Sequence, residues 1–284
     1  MTSPQPDKAR LHGNARIAAM QNPLDRVLYH PLAARLARML AKTPVTPNMV
    51  SVASGMMVVL AGIAYVQPGW PGTALAGLAL HMSWHVLDGA DGDLARLTGR
   101  SSPTGEIIDG IADYASHFIL YTMLIVSVIP VAGWIAPVLG VAAGLSRIVQ
   151  ASFHEAQRRQ YLCWAYDVPW LRTRNAASSR LGALGAAYLS VAGWLAPGDA
   201  AIDRALADPD QREALREKLI ALGPAPFAGS SLLGANYRTI ALGLSMLAGS
   251  PLWYFLYEAT ALNLVLAQGV WRSRRAYAAL STRR

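Results

Sequence analysis

A chain of 284 residues with 53% hydrophobic and only 15% charged residues is too apolar for a soluble domain of its length. Its formal net charge of +8 excludes an acidic, solvating protein, and in so apolar a chain it reads as basic loops beside anionic lipid headgroups rather than a nucleic-acid surface. The single cysteine, Cys163, excludes an intrachain disulfide and most thiolate metal sites.

Residues 1–45 read as a cytoplasmic or interfacial amphipathic segment carrying Lys8, Arg10, Arg16, Arg26, Arg35, Arg38 and Lys42. No signal peptide is expected there, because the first long apolar run comes later. From Asp25 to Leu40, the residues Leu28, Leu32, Ala33, Leu36 and Leu40 share one helical face, and Arg35 and Arg38 lie off it. That pattern suggests a helix in the membrane interface, or one packed on the protein's own cytoplasmic surface. Thr46 and Pro47 supply a cap and a first-turn residue for a first span, from Met49 to about Val66. After the uncharged turn Gln67–Gly72, a second span runs from Thr73 to about Leu87. His81 and His85, four apart on it, have the spacing of a metal pair, but the carboxylates that follow favour polar packing for both.

Those carboxylates need an explanation in an apolar chain. Residues 88–113 read D-G-A-D-G-D-L-A-R-L-T-G-R-S-S-P-T-G-E-I-I-D-G-I-A-D. Asp88 and Asp91 are separated by three positions and Asp109 and Asp113 by four, so each pair projects from one face of its own helix. Gly99, Ser101, Ser102 and Pro103 mark a short turn between the two helices, with Ser102 as cap and Pro103 as first helical residue of the second. Such a hairpin points four carboxylates into one space, where they repel unless cations neutralise them. All-oxygen ligation favours hard ions, Mg²⁺ or Mn²⁺, and two ions suit four carboxylates and displacement at phosphorus. Gly92 and Gly105, costly inside helices, point to close approach of a ligand to the backbone. Arg96, one turn beyond Gly92, is placed for a phosphate oxygen. Asp93 lies off this pattern and reads as a solvated or locally paired acid.

The pattern Asp88-x-x-Asp91-Gly92-x-x-Ala95-Arg96, eight residues, then Gly105-x-x-x-Asp109-x-x-x-Asp113 resembles the signature of the CDP-alcohol phosphotransferase (CDP-alcohol phosphatidyltransferase) family at every position. The resemblance implies a six-helix membrane enzyme that transfers a substituted phosphate from a CDP-alcohol to a hydroxyl and releases CMP. It implies metal ligation by Asp88, Asp91, Asp109 and Asp113, with Asp113 also the general base on the acceptor hydroxyl. It further implies that Gly92, Ala95, Arg96, Ser102 and Gly105 hold the cytidine diphosphate, and that the protein is a homodimer. Asn48, beside Pro47, is either part of the nucleotide pocket or a simple capping residue.

The third span runs from Pro103 to about Ile129. Gly105, Asp109, Asp113 and His117 recur on it every fourth position, so His117 shares the acidic stripe. A buried, hydrogen-bonded histidine is favoured there over one that assists the acceptor hydroxyl or orients Asp113. A fourth span covers Val131 to about Val149, with Arg147 near its end either contacting phosphate or acceptor, or snorkelling to the surface. The region that follows carries Arg158, Arg159, Arg172, Arg174 and Arg180, an apolar run Leu181–Pro197 and a charged helical stretch Ile202–Leu222. Were the apolar run a span, the Arg-rich C-terminus would face outside, against the positive-inside tendency. Residues 160–235 therefore read as a cytoplasmic helical insertion, a hairpin against the membrane surface. Two last spans follow, Thr239–Ala248, extending back toward Asn236, and about Trp253 to Val270, closed by Arg272, Arg274 and Arg275.

The expected fold is thus all-α and polytopic. It comprises an N-terminal interfacial helix (1–45), transmembrane helices one to four (46–159), the cytoplasmic insertion (160–235), and helices five and six with a basic tail (236–284). Both termini and the acidic hairpin would face the cytoplasm of a bacterial inner membrane. The expected partners are a CDP-alcohol donor, a lipid or polar alcohol acceptor, and membrane lipid, with no nucleic acid. The turn Thr98–Glu106 is similar to the choline and ethanolamine phosphotransferase branch, and the D-G-A-D-G-D opening to users of CDP-inositol-type donors. Both favour a polar headgroup on the CDP side and a lipid alcohol acceptor over CDP-diacylglycerol with a polar alcohol. An intramembrane Mg²⁺-dependent prenyltransferase would need a second Asp-rich motif far from 88–113, which the chain lacks. An ion-binding transporter would not require the Gly92, Ala95, Arg96 and Gly105 set.

Overall fold

The computed structural model describes residues 22–167, 199–223 and 229–282. Lys8, Arg10, Arg16, the apolar run Leu181–Pro197 and Arg172, Arg174 and Arg180 lie outside these residues. The described residues form helices and turns, with no strand among them. After a π-helical turn at Asp25–Tyr29 come α1 (His30–Leu40), α2 (Pro47–Val66), α3 (Gly72–Thr98), α4 (Pro103–Ala132) and α5 (Ile135–Tyr166). Then follow α6 (Asp199–Ala207), α7 (Pro209–Leu222), a 3₁₀ turn at Ser230–Leu233, α8 (Ala235–Leu247), α9 (Leu252–Ala259) and α10 (Ala261–Thr282).

Three of these stretches are long and apolar enough to cross a membrane: α2, residues 107–132 of α4, and α5. The other expected spans fall short for visible reasons. His81 and His85 dilute the apolar run of α3, and α8 and α9 are too short alone, at 13 and 8 residues. The sixth expected span is interrupted at Thr260, and its second part, α10, continues past the arginines to Thr282.

The fourth helix also departs from expectation, running to Tyr166 rather than ending near Val149. Charge ends an apolar span, but it does not end a helix. Glu155 accepts from Arg158 and Arg159, three and four positions on, so the charges support the helix rather than break it.

The chain divides into two compact units, one built within 21–145 and 235–259, the other within 146–234 and 260–284. In the first, Thr46 caps α2 by accepting from the Met49 amide, with Pro47 at the first helical position. α2 packs along both α3 and α4. The contact is close because small residues allow it: a Cβ on Gly77 would sit 2.5 Å from the Tyr65 ring, and one on Gly55 would sit 3.2 Å from the Ala112 carbonyl oxygen. Val58, Ala61, Tyr65, Trp84, Leu120, Leu124, Leu242 and Phe255 form the core of this unit.

α1 lays Ala33 and Ala37 against Val50, Ala90 and Leu94, while Val27, Leu28, Leu32 and Met39 stay exposed. The expected apolar face is therefore split between protein and surroundings. Sequence reading also gave no sign of a buried ion pair in this unit. Arg238 lies 3.5 Å from Glu258, both essentially inaccessible, and Glu258 accepts from the Tyr254 hydroxyl at 2.6 Å. In the second unit, Tyr161 and Trp164 of α5 pack with Ile202, Leu215, Leu219 and Tyr277. α6 and α7 meet at Asp208, so the charged stretch expected as one helical run over Ile202–Leu222 is two helices, the second capped by Asp208 with Pro209 in its first turn.

Candidate active site

α3 carries Asp88 and Asp91, and α4 carries Asp109 and Asp113. The turn between the helices is closed at both ends by its own sequence. Gly99, at φ 66°, takes the left-handed conformation that ends α3. The Gly99 amide donates to the Arg96 carbonyl and the Arg100 amide to the Ala95 carbonyl at 2.9 Å, which is a Schellman motif. Ala95 and Arg96 thus terminate their helix through their backbones. Ser102 Oγ then accepts from the Gly105 amide at 3.0 Å and caps α4, as the Ser-Pro pair predicts.

One carboxylate oxygen from each of Asp88, Asp109 and Asp113 lies within 4.8 Å of the other two. Asp91, buried, interacts with Asp109 and accepts from the Ser51 hydroxyl of α2. Such a gathering of half-buried and buried carboxylates is unfavourable without cations, and an all-oxygen donor set suits a hard divalent ion. The residues present therefore fit a divalent metal, with Asp88, Asp109 and Asp113 able to share one.

Around the carboxylates the other expected residues fall into distinct places. A Cβ on Gly105 would sit 3.3 Å from Ser102 Oγ and 3.4 Å from Asn48 Oδ1, so Asn48, Ser102 and Gly105 form one small cluster at the starts of α2 and α4. Helix N-termini are favourable ground for phosphate. Arg96 bends back over Gly92 and donates to Asp93 at 2.6 Å, its side chain 67% exposed. Asp93 is thus a locally paired acid. His117 is buried and donates from Nδ1 to the Asp113 carbonyl at 2.8 Å. Arg147, half-buried on α5, belongs to the second unit. His81 and His85 are buried, and His85 Nε2 meets Thr239 Oγ1 at 2.9 Å.

Two neighbours of the carboxylates escape a sequence reading. Trp84 donates from its indole N–H to Asp113 Oδ1 at 2.9 Å, and Ser51 donates to Asp91. Trp84 stands one turn before Asp88, so spacing puts it on the acidic face of α3, but its reach across to Asp113 depends on how α3 and α4 register. Ser51 is one of two serines in the apolar span of α2, with Ser54, and nothing in the sequence singles it out.

An apolar groove of about 320 Å³ opens between α2 and α4, lined among others by Val52, Met56, Ile108, Ile111, Ala112 and Ile119.

The family model for CDP-alcohol phosphatidyltransferase matches residues 44–191, which take in the whole of the acidic hairpin. No curated protein matches the chain.

Proposed function

The chain belongs to the CDP-alcohol phosphatidyltransferase family, a family of membrane transferases of substituted phosphate groups, and from that premise we propose that the 88–113 hairpin is its catalytic centre. The observation that carries this reading is the convergence of Asp88, Asp109 and Asp113, with Asp91 alongside. These four would hold divalent cations, two Mg²⁺ or Mn²⁺ ions in our reading. When bound, such ions neutralise the pyrophosphate of the donor and polarise the phosphorus under attack.

The remaining work falls to the chain's own residues. Asp113 accepts the proton of the acceptor hydroxyl as that oxygen forms its bond to phosphorus. Asn48, Ser102 and Gly105 seat the cytidine diphosphate at two helix N-termini, where backbone amides and dipoles favour its charge. Arg96, shared with Asp93, supplies a cation to a phosphate oxygen across the face left open by Gly92. CMP leaves with the electron pair of the broken phosphoanhydride bond.

The donor we assign is a CDP-linked polar headgroup and the acceptor a lipid alcohol. The likeness of the 98–106 turn and of the D-G-A-D-G-D opening to such family members supports it. The apolar groove between α2 and α4 supports a lipid substrate. In our reading six helical segments cross the membrane, both termini and the hairpin face the cytoplasm, and the enzyme works as a homodimer. CMP release tests the donor assignment, with CDP-choline, CDP-ethanolamine, CDP-inositol and CDP-diacylglycerol each offered with lipid and polar alcohols. Release from a soluble CDP-headgroup that depends on a lipid alcohol is expected. Release from CDP-diacylglycerol with a polar alcohol alone would reverse the assignment and leave the family membership intact.

A further inference from the structure

We propose that Trp84 is a positioning residue for Asp113: its indole N–H fixes the carboxylate in the orientation that metal binding requires. The proposal rests on the assignment of Asp113 as a metal ligand. Trp84 lies outside the acidic signature, one turn before Asp88 on α3, and reaches across to α4.

Three observations carry the argument. First, Trp84 Nε1 donates to Asp113 Oδ1 at 2.9 Å. A carboxylate rotates easily about its last torsion, and a donor on one oxygen fixes its plane and distinguishes its two oxygens. Secondly, the indole itself has little freedom. It is 5% exposed, with the His85 ring 4.4 Å away on one side and the His117 ring 4.6 Å away, edge-on, on another. Thirdly, both histidines are themselves held. His85 meets Thr239 on α8, and His117 donates to the carbonyl of Asp113, the residue whose carboxylate the indole holds. Asp113 is therefore gripped at its side chain by Trp84 and at its backbone by His117, and the two grips pack on each other.

The chemistry asks for such a device. Asp113 stands among like charges, close to Asp88 and Asp109, and their repulsion would turn its carboxylate away before a cation arrives. A donor that is neutral, buried and unable to compete for the cation holds the group without adding a positive charge that would repel the metal. Tryptophan meets all three conditions: it has one N–H, no acceptor and no charge. Donors behind metal-binding carboxylates typically change affinity by 10- to 100-fold when removed.

The test is a Mn²⁺ titration of the purified full chain in detergent, read by the electron paramagnetic resonance signal of free Mn²⁺, on a double-mutant cycle. The four proteins are the unaltered chain, Trp84→Phe, Asp113→Ala and the double variant. Trp84→Phe keeps a ring and removes the donor. It should weaken Mn²⁺ binding about tenfold, and it should cost nothing further once Asp113 is already alanine. Equal losses in both backgrounds would mean that Trp84 matters through packing alone, and would overturn the proposal. Unchanged binding in Trp84→Phe would overturn it too. If Asp113→Ala itself left Mn²⁺ binding unchanged, the metal role of Asp113 would fall, and the proposal with it. Should Trp84→Phe unfold, benzothienylalanine at position 84 replaces the N–H by sulfur at nearly the same ring shape. The same tenfold loss is expected from it, and full retention of binding would overturn the proposal.

Discussion

Asp91 and Asp93 stand two positions apart on α3, yet their surroundings assign them different work. Asp91 is buried, bonded to Ser51 and beside Asp109, whereas Asp93 holds the exposed Arg96 side chain. If Asp91 serves the proposed cation site, Asp91→Asn should lower CMP release by more than about a hundredfold, as expected when a metal ligand or its support is lost. Asp93→Asn breaks only an exposed ion pair, worth at most about 1 kcal/mol, and should leave the rate within about fivefold. Steady-state rates of the two variants at saturating metal check both. Gly105 makes a third case. An alanine Cβ there would crowd Ser102 Oγ and Asn48 Oδ1, so Gly105→Ala should raise KM for the CDP donor while the thermal unfolding temperature changes little. A raised KM for the acceptor alone would place the nucleotide elsewhere.

The helices show which features spacing reveals and which it hides. The caps at Thr46 and Ser102 and the turn at Gly99 were legible, because each rests on local chemistry within a few residues. The acidic pairs were legible for the same reason, since three- and four-residue spacing alone puts each pair on one face. The partners Ser51 and Trp84 depend on how α2, α3 and α4 register against one another, and local spacing does not encode register. The true end of α5 was hidden because its charges compensate one another along the helix. The pairing of Arg238 with Glu258 was hidden because it joins α8 to α9 across a turn, with Tyr254 completing it. Breaking such a buried pair by removing one member typically costs about 3–5 kcal/mol, whereas replacing both by apolar groups is often neutral. Arg238→Met should therefore lower the unfolding temperature in detergent sharply, and Arg238→Met with Glu258→Leu should recover most of it. Equal unfolding temperatures for the single and double variants would contradict a desolvated pair.

For the whole molecule, composition was enough to indicate a polytopic membrane protein, the apolar runs and the family resemblance added that it is helical, and the structure has among its described residues three helices long and apolar enough to span. The full span count was less legible, because α3 carries polar residues toward the site and the last expected span is broken at Thr260. The six crossings we propose would place both termini on the cytoplasmic side, so reporter fusions at residue 1 and after residue 284 should both show cytoplasmic activity. Opposite sides would require an odd number of crossings. We propose that metal held by the acidic hairpin drives phosphotransfer. The most direct test is CMP release by the purified protein from a CDP-alcohol and its acceptor, with Mg²⁺ or Mn²⁺ and after chelation, in the unaltered chain and in Asp91→Asn. Chelation should abolish release and added metal restore it, and Asp91→Asn should lack release even at high metal. Undiminished release in chelator, or in Asp91→Asn, would contradict the proposal.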